Sequence, residues 1–141
     1  MGIEQMAIKS VEEPELCGDI LERLTVLAEE AVGRSAAHPD VVAIFYGEDM
    51  GFNTSLMLSP AWMREWVVHR LKRIADACHR HGKPFLLHSC GQIDALILYI
   101  WAIISSTVIA LLVGSGSRPK YLAANGNAAI SAAARIVWSI M

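Results

Sequence analysis

Cysteine and positive charge are both scarce in this 141-residue sequence. Its three cysteines, Cys17, Cys78 and Cys90, stand at wide, irregular spacing, unlike the disulfide framework of a small secreted domain. The net charge of −2, with acids and bases interspersed, provides no basic stripe for phosphates, so nucleic acid is not an expected partner. The first residues lack the basic and apolar regions of a signal peptide, and we expect a cytoplasmic protein.

Charge nearly disappears after residue 90. Twenty-two of the first ninety residues are charged, whereas residues 91 to 141 carry only Asp94, Arg118, Lys120 and Arg135. The run from Leu96 to Val113 is eighteen residues long and uncharged, which is about the minimum length for a membrane-spanning helix. We therefore divide the chain into residues 1 to 95 and an apolar tail, residues 96 to 141.

Three interpretations of the apolar run stay open. It is a transmembrane helix, although Ser105, Ser106 and Thr107 lie at its centre. Alternatively it is a buried strand or helix pair of an α/β core, since parallel strands covered on both faces are continuously apolar. The third interpretation is that the tail is not the natural continuation of the chain, for example because of a frameshift.

The first part of the chain predicts a helix that begins at Pro14 and ends at Gly33. Proline suits the first turn of a helix, and glycine is typical just after its last turn. Apolar residues recur along one face of this segment at helical spacing, which predicts a buried stripe. The residues of that stripe are Leu16, Ile20, Leu24, Leu27 and Ala31.

A strand, a crossover helix and a second strand follow. The apolar run of residues 41 to 46 predicts a buried parallel strand, and residues 47 to 58 a long loop. Ser59 and Pro60 predict a helix start, and Gly82 its end. Residues 85 to 87 predict the second strand. The buried side of the helix is expected to contain Trp62, Trp66, Leu71, Ile74 and Cys78, whereas His69, His79 and His81 are expected on a solvated face.

Four side chains that can carry chemistry follow the two predicted strands. Glu48 and Asp49 come after the first strand, and His88 and Cys90 come at the end of the second. Because parallel strands place their carboxyl ends at one edge of a sheet, we expect all four at a common rim. The acids also suit a solvated loop.

His88 and Cys90 are two residues apart, so their side chains can converge on one metal ion. Zinc accepts imidazole and thiolate ligands together. A catalytic zinc normally has a third protein ligand, for which Glu48 and Asp49 are candidates. A histidine and a cysteine at this spacing also occur in packed strand ends without any metal.

Several motifs of the first part follow one another in the chain. They are Gly47-Glu48-Asp49-Met50-Gly51, Leu58-Ser59-Pro60 with Trp62 and Arg64-Glu65, Arg70-Leu71-Lys72-Arg73-Ile74, His81-Gly82-Lys83, and Leu87-His88-Ser89-Cys90-Gly91. In this order and spacing, residues 10 to 95 resemble the uroporphyrinogen decarboxylase family. The resemblance implies a fragment of a (β/α)8 TIM barrel, so the fold class is α/β.

The family includes decarboxylases, which act on a tetrapyrrole without metal or cofactor, and methyltransferases, which pass a methyl group from a corrinoid to a thiol. The resemblance to the methyltransferase branch implies that His88 and Cys90 are zinc ligands and Glu48 a ligand or base. Small-molecule, tetrapyrrole or corrinoid substrates are the expected partners. Glu48 and Asp49 are the candidate catalytic residues.

The sequence departs from the family in two places, and both reduce the expected activity. The 141 residues fall short of the roughly 250 of a complete barrel, and the segment that carries substrate-facing arginines and an aspartate in the decarboxylases is absent. After Ala95 a polar helix and a later zinc cysteine would follow, but the chain enters its apolar run. An inactive fragment is therefore expected, with a membrane-anchored non-enzyme or a non-binding remnant as alternatives.

Overall fold

The computed structural model describes residues 2–104, 109–114 and 120–123. Within them the chain is a mixed α/β structure with a four-stranded sheet. The elements are α1 (Ile3–Glu12), α2 (Pro14–Ala37), β1 (Ile44–Gly47), α3 (Pro60–Met63), a π-helical turn (Arg64–Val68), α4 (His69–His79), β2 (Phe85–Cys90), α5 (Asp94–Ile104), β3 (Ile109–Gly114) and β4 (Lys120–Ala123).

The strands lie in the order β1-β2-β3-β4, which is also their order in the chain. β1 pairs parallel to β2 and β2 parallel to β3, whereas β4 returns antiparallel beside β3. The helices between the parallel strands are the crossovers that parallel pairing requires. Among the described strands, β1 forms one edge of the sheet.

The main core lies between one face of the sheet and the helices. Phe85 and Leu87 of β2 point into it, and Tyr46 of β1 stacks on Phe85 with ring centroids 5.6 Å apart. The first strand is shorter than predicted and not buried on both faces, because alternate residues such as Phe45 are exposed. The core residues are Val32, Ala36, Met50, Met63, Val68, Leu71, Ile74, Ala75, Ala77, Cys78, Phe85, Leu87, Ile93, Leu96, Ile97 and Ile100.

The predicted start of the crossover helix is confirmed. The hydroxyl of Ser59 accepts a hydrogen bond of 3.2 Å from the Trp62 N–H, and Pro60 occupies the first turn. Trp62 and Trp66 stack with centroids 5.9 Å apart, but only Trp62 packs against the core, and both are partly exposed. The expectation that Trp66 belongs to the core is wrong, because its ring lies on a cavity wall.

Two predictions for α2 are wrong. The helix passes through Gly33 and ends at Ala37, because His38 precedes Pro39 and takes the extended conformation that a following proline favours. Its predicted stripe is also rotated away from the core: Leu24 and Leu27 are 57% and 61% exposed.

The side of α2 that meets α4 carries smaller residues instead. Thr25, Val32 and Ala36 are buried there. The guanidinium of Arg73 on α4 bridges Glu22 and Glu29 of α2 at 2.7 and 2.8 Å. Small side chains let α2 and α4 pack closely, and the ion pairs of Arg73 favour packing on the side of α2 that carries Glu22 and Glu29.

The apolar run of residues 96 to 113 is divided between two elements. α5 ends at Ile104, and β3 pairs parallel to β2 over six residues. Ile93, Leu96, Ile97 and Ile100 are buried against the core. In the part of the chain that the structure describes, no helix is both long and apolar enough to cross a membrane. The helix predicted for residues 127 to 141 lies outside the described residues.

Candidate functional site

The carboxyl ends of β1 and β2 meet at one edge of the sheet, as predicted. Gly47 is the register partner of His88, and the Glu48 N–H donates a hydrogen bond of 2.8 Å to the His88 carbonyl. The Cys90 N–H donates to Asp49 Oδ1 at 3.2 Å. The loop after β1 is thus joined to the end of β2 by one backbone–backbone hydrogen bond and by one hydrogen bond to the Asp49 side chain.

His88 and Cys90 project from the same face of β2, since they are two residues apart in a strand. His88 Nε2 lies 3.3 Å from Cys90 Sγ. The imidazole stacks on the ring of Phe45 across the strand pair, with centroids 5.9 Å apart. Its Nδ1 is buried and has no hydrogen-bond partner among the described residues. The ring is therefore held with Nε2 towards the sulfur.

Asp49 is in contact with Cys90 and shapes its chemistry. The carboxylate raises the pKa of the Cys90 thiol, chiefly by accepting a hydrogen bond from it, and partial burial adds to the increase. Reactive cysteines have lowered pKa values, usually beside cations. This neighbourhood is therefore unsuited to a free thiolate nucleophile and concentrates negative charge that a metal cation would neutralise.

Glu48 occupies a different environment from the other three residues. Its side chain lines a cavity on the helix side of the sheet, together with Tyr46 and Trp66. Burial raises the pKa of the Glu48 carboxyl, and the nearby charge of Asp49 raises it further. Consecutive residues of an extended chain point to opposite sides, which separates Glu48 from Asp49. The structure thus brings Asp49, His88 and Cys90 together and leaves Glu48 apart.

Ser89 is a residue of the site that the sequence patterns did not single out. It is fully buried between His88 and Cys90, and its hydroxyl accepts a hydrogen bond of 3.1 Å from the Met50 N–H. The same hydroxyl donates to the Cys90 carbonyl at 3.2 Å. Its place within the His-Ser-Cys-Gly run was the only signal in the sequence.

A close contact between Gly51 and Gly91 joins the loop after β1 to the turn after β2. Gly91 has a positive φ of 74°, and a Cβ at this position would lie 2.1 Å from the Gly51 carbonyl oxygen. The Gln92 N–H donates a hydrogen bond of 2.6 Å to the Phe52 carbonyl just beyond. Only glycine at residue 91 permits the two loops to approach this closely.

The other sequence-predicted groups lie away from this edge. Cys17 and Cys78 are buried within the helical layer. His79, expected on a solvated face, has both ring nitrogens buried and packs edge-on against Phe85 at 6.4 Å. That expectation was wrong, because α4 turns this histidine towards β2.

The donor atoms of His88 and Cys90 fit one zinc ion as two of its ligands. Zinc holds an imidazole nitrogen at about 2.0–2.1 Å and a thiolate sulfur at about 2.3 Å, so two such tetrahedral ligands lie roughly 3.5 Å apart. The 3.3 Å between Nε2 and Sγ is close to this separation. Across the described ranges, no group of three His, Cys, Asp or Glu side chains is placed as a full ligand set.

Comparisons with family models, with curated proteins and with solved structures found no match for this chain. The resemblance in its motifs therefore stays a prediction.

Proposed function

We propose that this chain is a segment of a uroporphyrinogen decarboxylase family (β/α)8 barrel of the zinc-dependent branch, which transfers a methyl group from a corrinoid to a thiol. The parallel order β1-β2-β3 with intervening helices supports the barrel segment, since neighbouring strands of such a barrel follow one another in the chain. The antiparallel β4 departs from that pattern.

The observation that carries the proposal is that Cys90 contacts both His88 and Asp49 at the carboxyl edge of the sheet. Barrel enzymes place their catalytic groups at this edge. The 3.3 Å from Nε2 to Sγ suits two ligands of one ion, and the adjoining carboxylate adds negative charge. In this proposal His88 and Cys90 hold the metal, and Asp49 is the candidate third ligand.

The other residues of the site have positioning roles. Phe45 supports the imidazole plane, and Ser89 fixes the loop that carries Asp49. Zinc bound here would supply positive charge that lowers the pKa of a nearby thiol and so makes the thiol more nucleophilic at neutral pH. Glu48, which lies on the helix side, is not assigned a role in methyl transfer.

The test is zinc retention by the purified full chain. We expect about one zinc per chain after gel filtration, as for a single catalytic site. His88→Gln and Cys90→Ser should each weaken zinc binding by more than about 100-fold, because direct ligands matter more than outer-shell partners. His81→Gln is the matched control, since His81 is exposed on the turn before β2.

Zinc content is measured by mass spectrometry of the eluted protein, and folding of each variant by circular dichroism. A folded wild-type chain that elutes without zinc, or ligand variants that bind zinc as tightly as the control, would contradict the proposal. Metal-free protein would direct attention to the decarboxylase branch or to an inactive remnant.

A further inference from the structure

The cavity that Glu48 lines is on the opposite side of the sheet from His88 and Cys90. Its volume is about 280 Å³, it is open to solvent on one side, and its walls are α2, the end of β1 and the helix of the crossover. Most of its wall is apolar. The apolar residues are Leu21, Leu24, Ala28, Val67, Leu71 and Ile74.

Two groups of opposite charge also line this cavity. Glu48 is half-buried, and its carboxylate accepts no hydrogen bond from any described residue. Arg70 lines the cavity too, yet the two side chains form no ion pair with each other among the described residues. A partly buried charge without a partner is costly, which raises the question of what satisfies Glu48.

Arg70 is oriented by contacts that leave one amino group of its guanidinium, Nη2, without a hydrogen bond to a described residue. Nη1 donates to the Trp66 carbonyl at 2.8 Å and lies 3.1 Å from His69 Nε2. Nε is fully buried and out of reach of a ligand, whereas Nη2 makes no hydrogen bond to a described residue. Nη2 is therefore the group that can donate a charge-assisted hydrogen bond to a carboxylate.

Aromatic rings complete the polar part of the cavity. Tyr46 and Trp66 both line it, and aromatic faces attract cations. The Trp66 ring already faces the guanidinium of Arg70, 6.0 Å from its centroid, so Tyr46 is the ring left for an ammonium group. The carboxylate of Glu48, two residues after Tyr46 in the chain, strengthens that attraction. The cavity thus offers one region suited to a cation, one suited to an anion, and an apolar wall between α2 and α4.

We propose that this cavity binds a small zwitterion with an apolar body, of which a hydrophobic α-amino acid is the simplest example. Its ammonium would contact Glu48, its carboxylate would contact Nη2 of Arg70, and its side chain would contact the leucines of α2. Ligand pockets begin at roughly 300 Å³, so the size suits an amino acid and excludes a tetrapyrrole. The inference is independent of zinc and of methyl transfer.

Calorimetric titration of the metal-free full chain tests this proposal with three probes of one carbon skeleton. Leucine carries both charges, 4-methylpentanoate lacks the ammonium, and 3-methylbutylamine lacks the carboxylate. We expect saturable binding of leucine and about 10-fold or weaker binding of each analogue, since each loses one charged contact. No saturable leucine binding up to about 10 mM, where even a millimolar site is filled, would overturn it.

Two variants provide a crossed control that a folding defect cannot imitate. Glu48→Gln should weaken the binding of leucine and of 3-methylbutylamine but leave the binding of 4-methylpentanoate unchanged. Arg70→Gln should weaken the binding of leucine and of 4-methylpentanoate but leave the binding of the amine unchanged. Glu30→Gln and Arg34→Gln alter an exposed ion pair elsewhere on α2 and should change none of the three. Leucine binding that is unaffected at both Glu48 and Arg70 would also overturn the proposal.

Discussion

The Cys90 N–H donates a hydrogen bond of 3.2 Å to the carboxylate of Asp49, which precedes it by forty-one residues. This contact joins the loop after β1 to the last residue of the neighbouring parallel strand β2. The geometry of the proposed zinc ligands therefore depends on how firmly this loop is held against the end of β2, and this dependence can be tested by substitution.

Gly91→Ala should destabilise the protein by roughly 3 kcal/mol. The added Cβ would lie 2.1 Å from the Gly51 carbonyl oxygen, and alanine at a φ of 74° is strained. Gly33→Ala, inside α2 with nothing near the added Cβ, should instead stabilise the protein by about 0.4–1 kcal/mol. Urea denaturation measures both, and equal midpoints for the two variants would refute the close approach of the loops.

Ser89→Ala should affect both stability and zinc binding. Loss of the hydroxyl leaves the buried Met50 N–H without its acceptor, which costs about 1–3 kcal/mol. The loop that carries Asp49 is then held less firmly, and zinc affinity should fall by about 10-fold or more. Ser55→Ala is the control, because this exposed hydroxyl contacts only the adjacent Leu56 carbonyl.

Denaturation and competition with a zinc chelator measure the two effects of Ser89→Ala separately. A stability loss without any change in zinc affinity would mean that Ser89 has no positioning role.

Ser10→Ala should loosen α1 from the rest of the molecule. The Ser10 hydroxyl accepts a hydrogen bond of 2.7 Å from the indole N–H of Trp62, fifty-two residues away. Removing the acceptor should cost about 1–3 kcal/mol because the indole N–H is partly buried. Ser35→Ala, at an exposed position near the end of α2, serves as the control. Faster amide hydrogen exchange in α1 for Ser10→Ala alone is the expected result.

Acid should destabilise the fold through His79. Burial lowers the pKa of this imidazole below its usual value near 6.5, so below that pH the unfolded chain binds a proton more readily than the folded protein. The stability contribution is present above pH 6.5 and is lost as the pH falls through that value towards the lowered pKa.

His79→Leu should therefore lose less stability than the wild type between pH 7.5 and pH 5.5, as measured by urea denaturation at each pH. His81→Leu, at an exposed histidine, should behave like the wild type. The same acid loss in all three proteins would exclude His79 as its source.

The shared edge of the sheet was predictable from sequence because its signals are local. Short apolar runs followed by polar residues marked both strands, and Ser59 with Pro60 marked the start of the crossover helix. Once two strands are parallel, the positions of Asp49, His88 and Cys90 at one edge follow from topology.

Three features were not predictable, since each depends on contacts between distant residues. The buried side of α2 is set by Arg73, about fifty residues away from Glu22. The burial of His79 depends on the rotation of α4 against β2. The Glu48 and Asp49 side chains are separated because the chain stays extended beyond β1, whereas the sequence predicted only a loop there.

The position of β1 at the margin of the described sheet has a consequence for the behaviour of the protein in solution. Alternate backbone N–H and C=O groups of Ile44–Gly47 point away from β2, and Phe45 beside them is 46% exposed. Such a margin accepts an additional strand through main-chain hydrogen bonds alone. Self-association that rises with concentration, and that charged substitutions at Phe45 suppress, is the behaviour this geometry favours.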